Sequence, residues 1–191
     1  MSSFFSEKEL EKIGVKSFGE NVLISKKVSI YSPEFISIGN NVRIDDFVIM
    51  SGDITLENNI HIAPYCILVG GSEGAGIVMK SYSGLSSRVT IYSITDDYSG
   101  EFMTNPTIPL DYTNVKKGRV VIKEYAIVGA TSVILPGVEI GEGTAVGAMS
   151  MVTNNLPEWK ICRGIPARAL MERSKKLKEL EKKFHELNSK S

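Results

Sequence analysis

Residues 121–153 read VIKEYAIVGATSVILPGVEIGEGTAVGAMSMVT, and the interval between aliphatic residues in this stretch decides the fold. Ile122, Val128, Ile134, Ile140, Val146 and Val152 follow one another every six residues. Four places after the first five stand the small or branched Ala126, Ser132, Val138, Thr144 and Ser150. An α-helix repeats its apolar face at three and four residues and a half-buried strand at two, so neither explains a six-residue rule. Towards the N-terminus the same rule holds at Ile38, Ile44, Met50, Leu56, Ile62 and Leu68, with Val42, Val48, Ile54, Ile60 and Cys66 in the second place. Gly and Asn crowd the intervals, in IGNN, LENN, VGAT and IGEG, where a tight corner demands backbone conformations these residues tolerate. Each hexad is therefore one short strand and one corner. Stacked hexads build a parallel β-helix whose aliphatic residues fill the interior.

The pattern slips twice. Gly70-Gly71-Ser72-Glu73-Gly74-Ala75-Gly76 inserts residues before the hexads resume at Met79, Leu85 and Ile91. Over residues 92–119 the period vanishes; a long loop without structure of its own inside a compact domain is usually functional or disordered, and the aromatic and proline content here favours the first. At the N-terminal end Ser6–Ile13 predicts a short helix capped by Ser6, with Glu9 in the capping-box position. From Arg168 to Leu187 the residues Leu170, Leu177, Leu180, Phe184 and Leu187 make one apolar stripe in a charged segment, which predicts a helix that buries one face. The expected architecture is mainly β: a β-helix over residues 1–166 with the loop 92–119, then a C-terminal helix over 167–191.

Twenty-two basic residues balance 22 acidic ones, so no net field points to nucleic acid or an anionic membrane as partner, and a bound anion must be held locally. The first residues lack the basic start and apolar stretch of a signal peptide, and no run could span a bilayer, so a cytoplasmic location is expected. Cys66 and Cys162 are lone cysteines, which indicates neither a disulfide framework nor a zinc site.

The segment VIKEYAIVGATSVILPGVEIGEGTAVGAMSMVTNNLPEWKICRGIPARAL, Val121 to Leu170, resembles the C-terminal coils of hexapeptide acyltransferases, the group of galactoside, maltose and nucleotide-sugar acetyltransferases. The resemblance implies a left-handed β-helix, a homotrimer with sites between subunits, and acetyl-CoA lying in the groove between two β-helices with a sugar at its inner end. HIAPYCILVGG and IYSITDDYSGEFMTNPTIP resemble most the members that acylate sugars for surface polysaccharides, including dTDP-linked 4-amino-4,6-dideoxy sugars.

Acyl transfer from a thioester needs a nucleophile relieved of its proton and reactants held in contact. Of the two histidines, His185 sits in the charged terminal segment and reads as a solvated residue. His61 precedes the interior Ile62, so its side chain points outward, and an imidazole that titrates near neutrality can accept a proton there. Galactoside and maltose acetyltransferases carry their catalytic histidine in the loop after the middle coils, where this chain reads Thr95-Asp96-Asp97-Tyr98. The base is then His61, a carboxylate of Asp96 or Asp97, or an Asp–His pair. The density of Arg88, Tyr92, Asp96, Asp97 and Asn105 points to a sugar pocket, in which Arg88, Tyr92, Asp97 and Asn105 are expected to supply the hydrogen bonds and aromatic face.

Gly129-Ala130 and Gly147-Ala148 stand eighteen residues apart, one full coil, and stack along one edge, where the family binds pantetheine. Small residues are also what any corner requires. Arg163 and Arg168 flank Gly164-Ile165-Pro166, where the family commonly places basic residues, and the resemblance implies that they provide cations for the phosphates of CoA. Thr153 matches a family position near the cofactor, but Asn154 replaces its usual basic neighbour and Ile127 replaces an aromatic residue of galactoside acetyltransferases. The leading expectation is acetyl transfer to a nucleotide-linked amino sugar without a metal. A sugar O-acetyltransferase is the rival and a non-catalytic scaffold the third class.

Overall fold

The structure is a computed structural model and describes residues 3–188. Among them the strands form a β-solenoid of about seven turns, with one helix at each end of the chain. Three parallel sheets make its faces. Face I runs from Ser17–Phe18 to Glu139–Ile140, and face III from Ser29–Tyr31 to Met151–Val152. Face II carries Leu23–Ile24, Arg43–Ile44, His61–Ile62, Gly84–Leu85, Ile127–Val128, Ala145–Val146 and Lys160–Gly164 in that order.

The six-residue rule is the burial rule. Every residue in the aliphatic series, Ile38 to Leu68, Met79 to Ile91 and Ile122 to Val152, is buried, and so are the residues four places later except Ser72 and Thr95, where the chain leaves the regular coils. The residues stack on their equivalents one coil away, as Ile44, Ile62, Leu85, Val128 and Val146 do inside face II. Interior Ser132, Thr144 and Ser150 donate to the carbonyls of Gly147, Pro157 and Gly147, so their hydroxyls are buried without loss of hydrogen bonds.

The corner between faces I and II positions the C-terminal helix. Asn21, Asn41, Asn59, Tyr82, Tyr125 and Trp159 all adopt left-handed backbone conformations there. Asn tolerates this region; the aromatic residues pay a conformational cost that stacking offsets. Tyr82 stacks on Tyr125 with centroids 5.6 Å apart, and Tyr125 meets Trp159 at 6.1 Å. Gly143 has no side chain because a Cβ would lie 2.5 Å from the Trp159 ring. Helix α2, Leu177–Asn188, docks on this column: Tyr125 donates to Glu181, Tyr82 shares a hydrogen bond with His185, and Lys178 pairs with Glu142 over the Trp159 ring.

Two expectations are corrected. The terminal helix begins at Leu177 and not near Arg168, because Ala167–Glu172 forms a strand antiparallel to Lys160–Gly164. Lys160–Gly164 would otherwise be an open edge, and the Ile165-Pro166 tip turns the chain back to pair with it. Leu170 therefore lies on a strand, and the side chain of Leu187 lies outside the described residues. The excursion after residue 92 is also not structureless. Tyr92 still belongs to a face III strand, and Ile94–Thr95 pairs with Lys116–Lys117 as a neck that closes the loop. Helix α1, Glu7–Ile13, follows expectation: the Ser6 N–H donates to Glu9 at 2.8 Å. No helix among the described residues is long and apolar enough to cross a membrane.

Candidate active site

Two cavities among the described residues take in expected site residues. The larger, about 750 Å³, lies between face II and α2. Its solenoid side carries His61, Gly84, Ser86, Tyr125 and Ile127, and its helix side Leu177, Leu180, Glu181 and Phe184. His61 points outward as the hexad register requires, beside Gly84 on the next rung. Its Nε2 lies 2.7 Å from Oδ2 of Asp45, whose Oδ1 takes Arg43 Nε at 2.8 Å. A carboxylate only accepts, so Nε2 donates and Nδ1 is left as the acceptor of a neutral ring. Burial would push the Asp45 carboxyl up, but the hydrogen bonds from His61 and Arg43 outweigh it and hold it below the usual carboxylate range. Asp45 thus does for His61 what the sequence reading sought from Asp96 or Asp97.

The second cavity, about 420 Å³, lies on face III under the loop. Tyr92, Asp96 and Asn105 line it together with Val69, Ile94 and Ile108. The Asn105 carbonyl oxygen is committed to Thr107, which leaves its amide N–H groups for a ligand. Asp97 turns the other way and is 4% exposed. It accepts from the Ser99 N–H, Asn114 Nδ2 and Lys116 Nζ, and bonds from Ser99 and Lys116 hold its carboxyl far below the usual range. It ties the loop to its neck. Arg88 is placed at the opposite end of its strand from Tyr92, at the corner of faces II and III, with its guanidinium over the Tyr65 ring.

That corner also carries the expected cofactor row. Ser86 donates to Val128, Gly129 to Val146 and Gly147 to Cys162, so these residues stack rung upon rung towards Arg163. The spacing of sheet strands puts Ser86 and Arg163, three rungs apart, about 14 Å from one another. Both glycine N–H groups are spent on the ladder, so this edge offers a ligand room rather than those bonds. A Cβ on Gly129 would lie 2.5 Å from the nitrogen of Ala148, so that glycine is required by packing alone. Arg163 and Arg168 are paired across the terminal hairpin, both exposed. Thr153 lies elsewhere, after the face III strand Met151–Val152, and donates to Asn154.

A model of the bacterial transferase hexapeptide family (six repeats) matches residues 119–154. The chain is 45% identical to a dTDP-4-amino-4,6-dideoxy-D-glucose acyltransferase of Escherichia coli, over 95% of either chain. AntD, an N-acyltransferase from Bacillus cereus, in complex with dTDP and 3-hydroxybutyryl-CoA, superposes with a TM-score of 0.95 at 52% identity, covering 99% of this chain and 100% of that one. A serine-to-cysteine variant of AntD bound to dTDP-4-amino-4,6-dideoxyglucose and coenzyme A gives 0.93 and 53%, covering 97% and 98%. Other AntD variants carry a substituted aspartate, ten positions after that serine. WbbJ of Escherichia coli, assigned as a lipopolysaccharide biosynthesis O-acetyl transferase, is 29% identical over 81% of this chain and 77% of its own.

Proposed function

The chain belongs to the bacterial hexapeptide transferase family, and we propose that it transfers an acyl group from acyl-CoA to the amino group of a dTDP-linked 4-amino-4,6-dideoxy sugar. One observation carries this reading: AntD, crystallised with coenzyme A and that amino sugar, matches 97% of this chain at 53% identity. The neutral amine attacks the thioester carbon, the C–S bond breaks, coenzyme A leaves as its thiolate, and the amine's proton passes to a base. No covalent enzyme intermediate is needed.

Two groups are suited to take the proton. His61 offers Nδ1 with Asp45 fixing the ring from behind, and Asp96 offers a carboxylate in the loop cavity. The spacing of the two substituted AntD residues is that of Ser86 and Asp96, and also that of Ser87 and Asp97. Since the Asp97 carboxylate is already occupied by Ser99, Asn114 and Lys116, the first pair is favoured. Ser86 and His61 border the face II cavity while Asp96 borders the face III cavity, so one protomer keeps them apart. A homotrimer in which face II of one copy meets the loop of its neighbour would unite them. In that arrangement Arg163 and Arg168 hold the phosphates of CoA, Gly129-Ala130 and Gly147-Ala148 line the pantetheine arm, and Tyr92 and Asn105 meet the sugar, with Arg88 beside the groove. Thr153 has no place at that edge within its own protomer and would act only from the neighbouring copy.

Nucleotide sugars and acyl-CoA are both cytoplasmic metabolites, which favours that location, and the kinship with WbbJ favours lipopolysaccharide biosynthesis as the destination. An O-acyl product would demand a stronger base than an amine does, because a hydroxyl must lose its proton as it attacks. The test is thiol release from acetyl-CoA with dTDP-4-amino-4,6-dideoxyglucose against its 4-hydroxy counterpart. Release with the amino sugar is expected. Release with the hydroxyl sugar alone would replace this reading by the O-acyltransferase one.

A further inference from the structure

His61, Gly84 and Ile127 occupy adjacent rungs of the outward row on face II, and Gly84 lacks the side chain its neighbours have. Nothing in the backbone requires this. Its φ is not in the left-handed region, and a Cβ there would meet only the His61 carbonyl oxygen at 3.5 Å, an ordinary contact. Glycine within a strand costs conformational entropy and packs nothing, and commonly marks a place that a ligand approaches closely. Packing explains Gly129 and Gly143; it does not explain Gly84.

The ground above Gly84 is the cavity under α2. Its walls combine the polar groups of His61, Ser86 and Glu181 with the apolar side chains of Ile127, Leu180 and Phe184. Ser86 also heads the row that descends through Gly129 and Gly147 to Arg163. A donor whose phosphates lie at Arg163 and whose arm follows that row brings its sulfur to Ser86, and the group beyond the sulfur then passes over Gly84. An occupant with a polar carbonyl and a short apolar tail matches this mixed lining.

We propose that Gly84 forms the floor of an acyl subsite, so that the enzyme uses acyl groups longer than acetyl and the side chain at this position sets their limit. The proposal rests on the acyl-CoA-dependent reading above. Its test measures kcat/KM for acetyl-CoA, butyryl-CoA and 3-hydroxybutyryl-CoA at saturating amino sugar, in the wild type, Gly84→Ala, Gly84→Val, and Gly84→Val combined with Ile127→Ala. The wild type is expected to use butyryl-CoA at least as well as acetyl-CoA, since each of its two added methylenes is worth about tenfold or more in an apolar pocket. Gly84→Val should lower the butyryl-to-acetyl ratio by about tenfold or more, Gly84→Ala by less, and the added Ile127→Ala should restore part of it. Thermal unfolding separates misfolding from selection: if Gly84→Val unfolds early, the ratio in Gly84→Ala decides. A ratio unmoved by either substitution while all rates fall together would overturn the proposal and leave acyl transfer standing. A wild type confined to acetyl-CoA would also overturn it, and a wild type inactive with every donor would remove the functional reading itself.

Discussion

His61 and Asp45 come from neighbouring rungs of one face, and a 2.7 Å hydrogen bond joins the imidazole Nε2 to the carboxylate. Arg43, directly beneath His61 in register, takes the other carboxylate oxygen, so the ring is fixed from below by a charged pair and its free nitrogen is the one left for chemistry. If that nitrogen takes the amine's proton, His61→Ala should lower kcat by about a hundredfold or more, the usual scale for a positioned proton transfer. Asp45→Asn should lower kcat less and leave both KM values near wild type, because it acts through His61. The depressed pKa of Asp45 keeps it ionised through the neutral range, so its support is present above the usual carboxylate value and fades only as pH falls through its lower folded value. Near-wild-type kcat in His61→Ala would exclude the histidine as base.

Asp96 and Asp97 should separate cleanly although they are adjacent. Asp96→Asn is expected to cut kcat with an unchanged unfolding temperature, since Asp96 lines the loop cavity. Asp97→Asn should loosen the loop, raise KM for the sugar and expose the segment after Thr95 to limited proteolysis, with acyl-CoA binding retained. Its folded pKa is depressed, so acid should release the loop only as pH falls below the ordinary carboxylate range. The reverse pattern, a catalytic Asp97 and a structural Asp96, would show the loop is misread.

Arg163→Ala and Arg168→Ala should each raise KM for acyl-CoA several-fold with kcat less affected, because contacts remote from the reacting carbon stabilise ground and transition states alike. An unchanged KM in both variants would move the phosphates away from the terminal hairpin.

Gly129→Ala should destabilise the fold by about 2 kcal/mol or more in urea titration, since the new Cβ forces the next coil's backbone to move. Gly147→Ala meets the Arg163 Cβ at 3.1 Å, and should cost less. Equal costs would contradict the packing origin of Gly129.

The solenoid was legible because its rule is one-dimensional: a residue's place in the hexad states whether it faces in or out, which is how His61 was placed outward. The partner of His61 was not legible by proximity in sequence, since Asp45 lies sixteen residues earlier. The signal was there in the register, because one coil is eighteen residues and places Arg43 directly below His61 with Asp45 two positions along. Asp96 and Asp97 read as equals because a loop has no period to assign a direction; the folded loop, in which Ser99, Asn114 and Lys116 bond to Asp97, tells them apart. The start of α2 was misplaced because the leucine stripe through Leu170 fits a helix locally, while the open edge at Lys160–Gly164, a property of the assembled solenoid, claims those residues for a strand.

The bond made in the product tests the central claim most directly. After incubation with acetyl-CoA and dTDP-4-amino-4,6-dideoxyglucose, the product is followed by mass spectrometry before and after treatment with neutral hydroxylamine, which cleaves esters and spares amides. The expected product carries one added acetyl group that survives hydroxylamine, with one thiol released for each acetyl transferred. An acetyl group that hydroxylamine removes, or thiol release without an acetylated sugar, would contradict N-acylation.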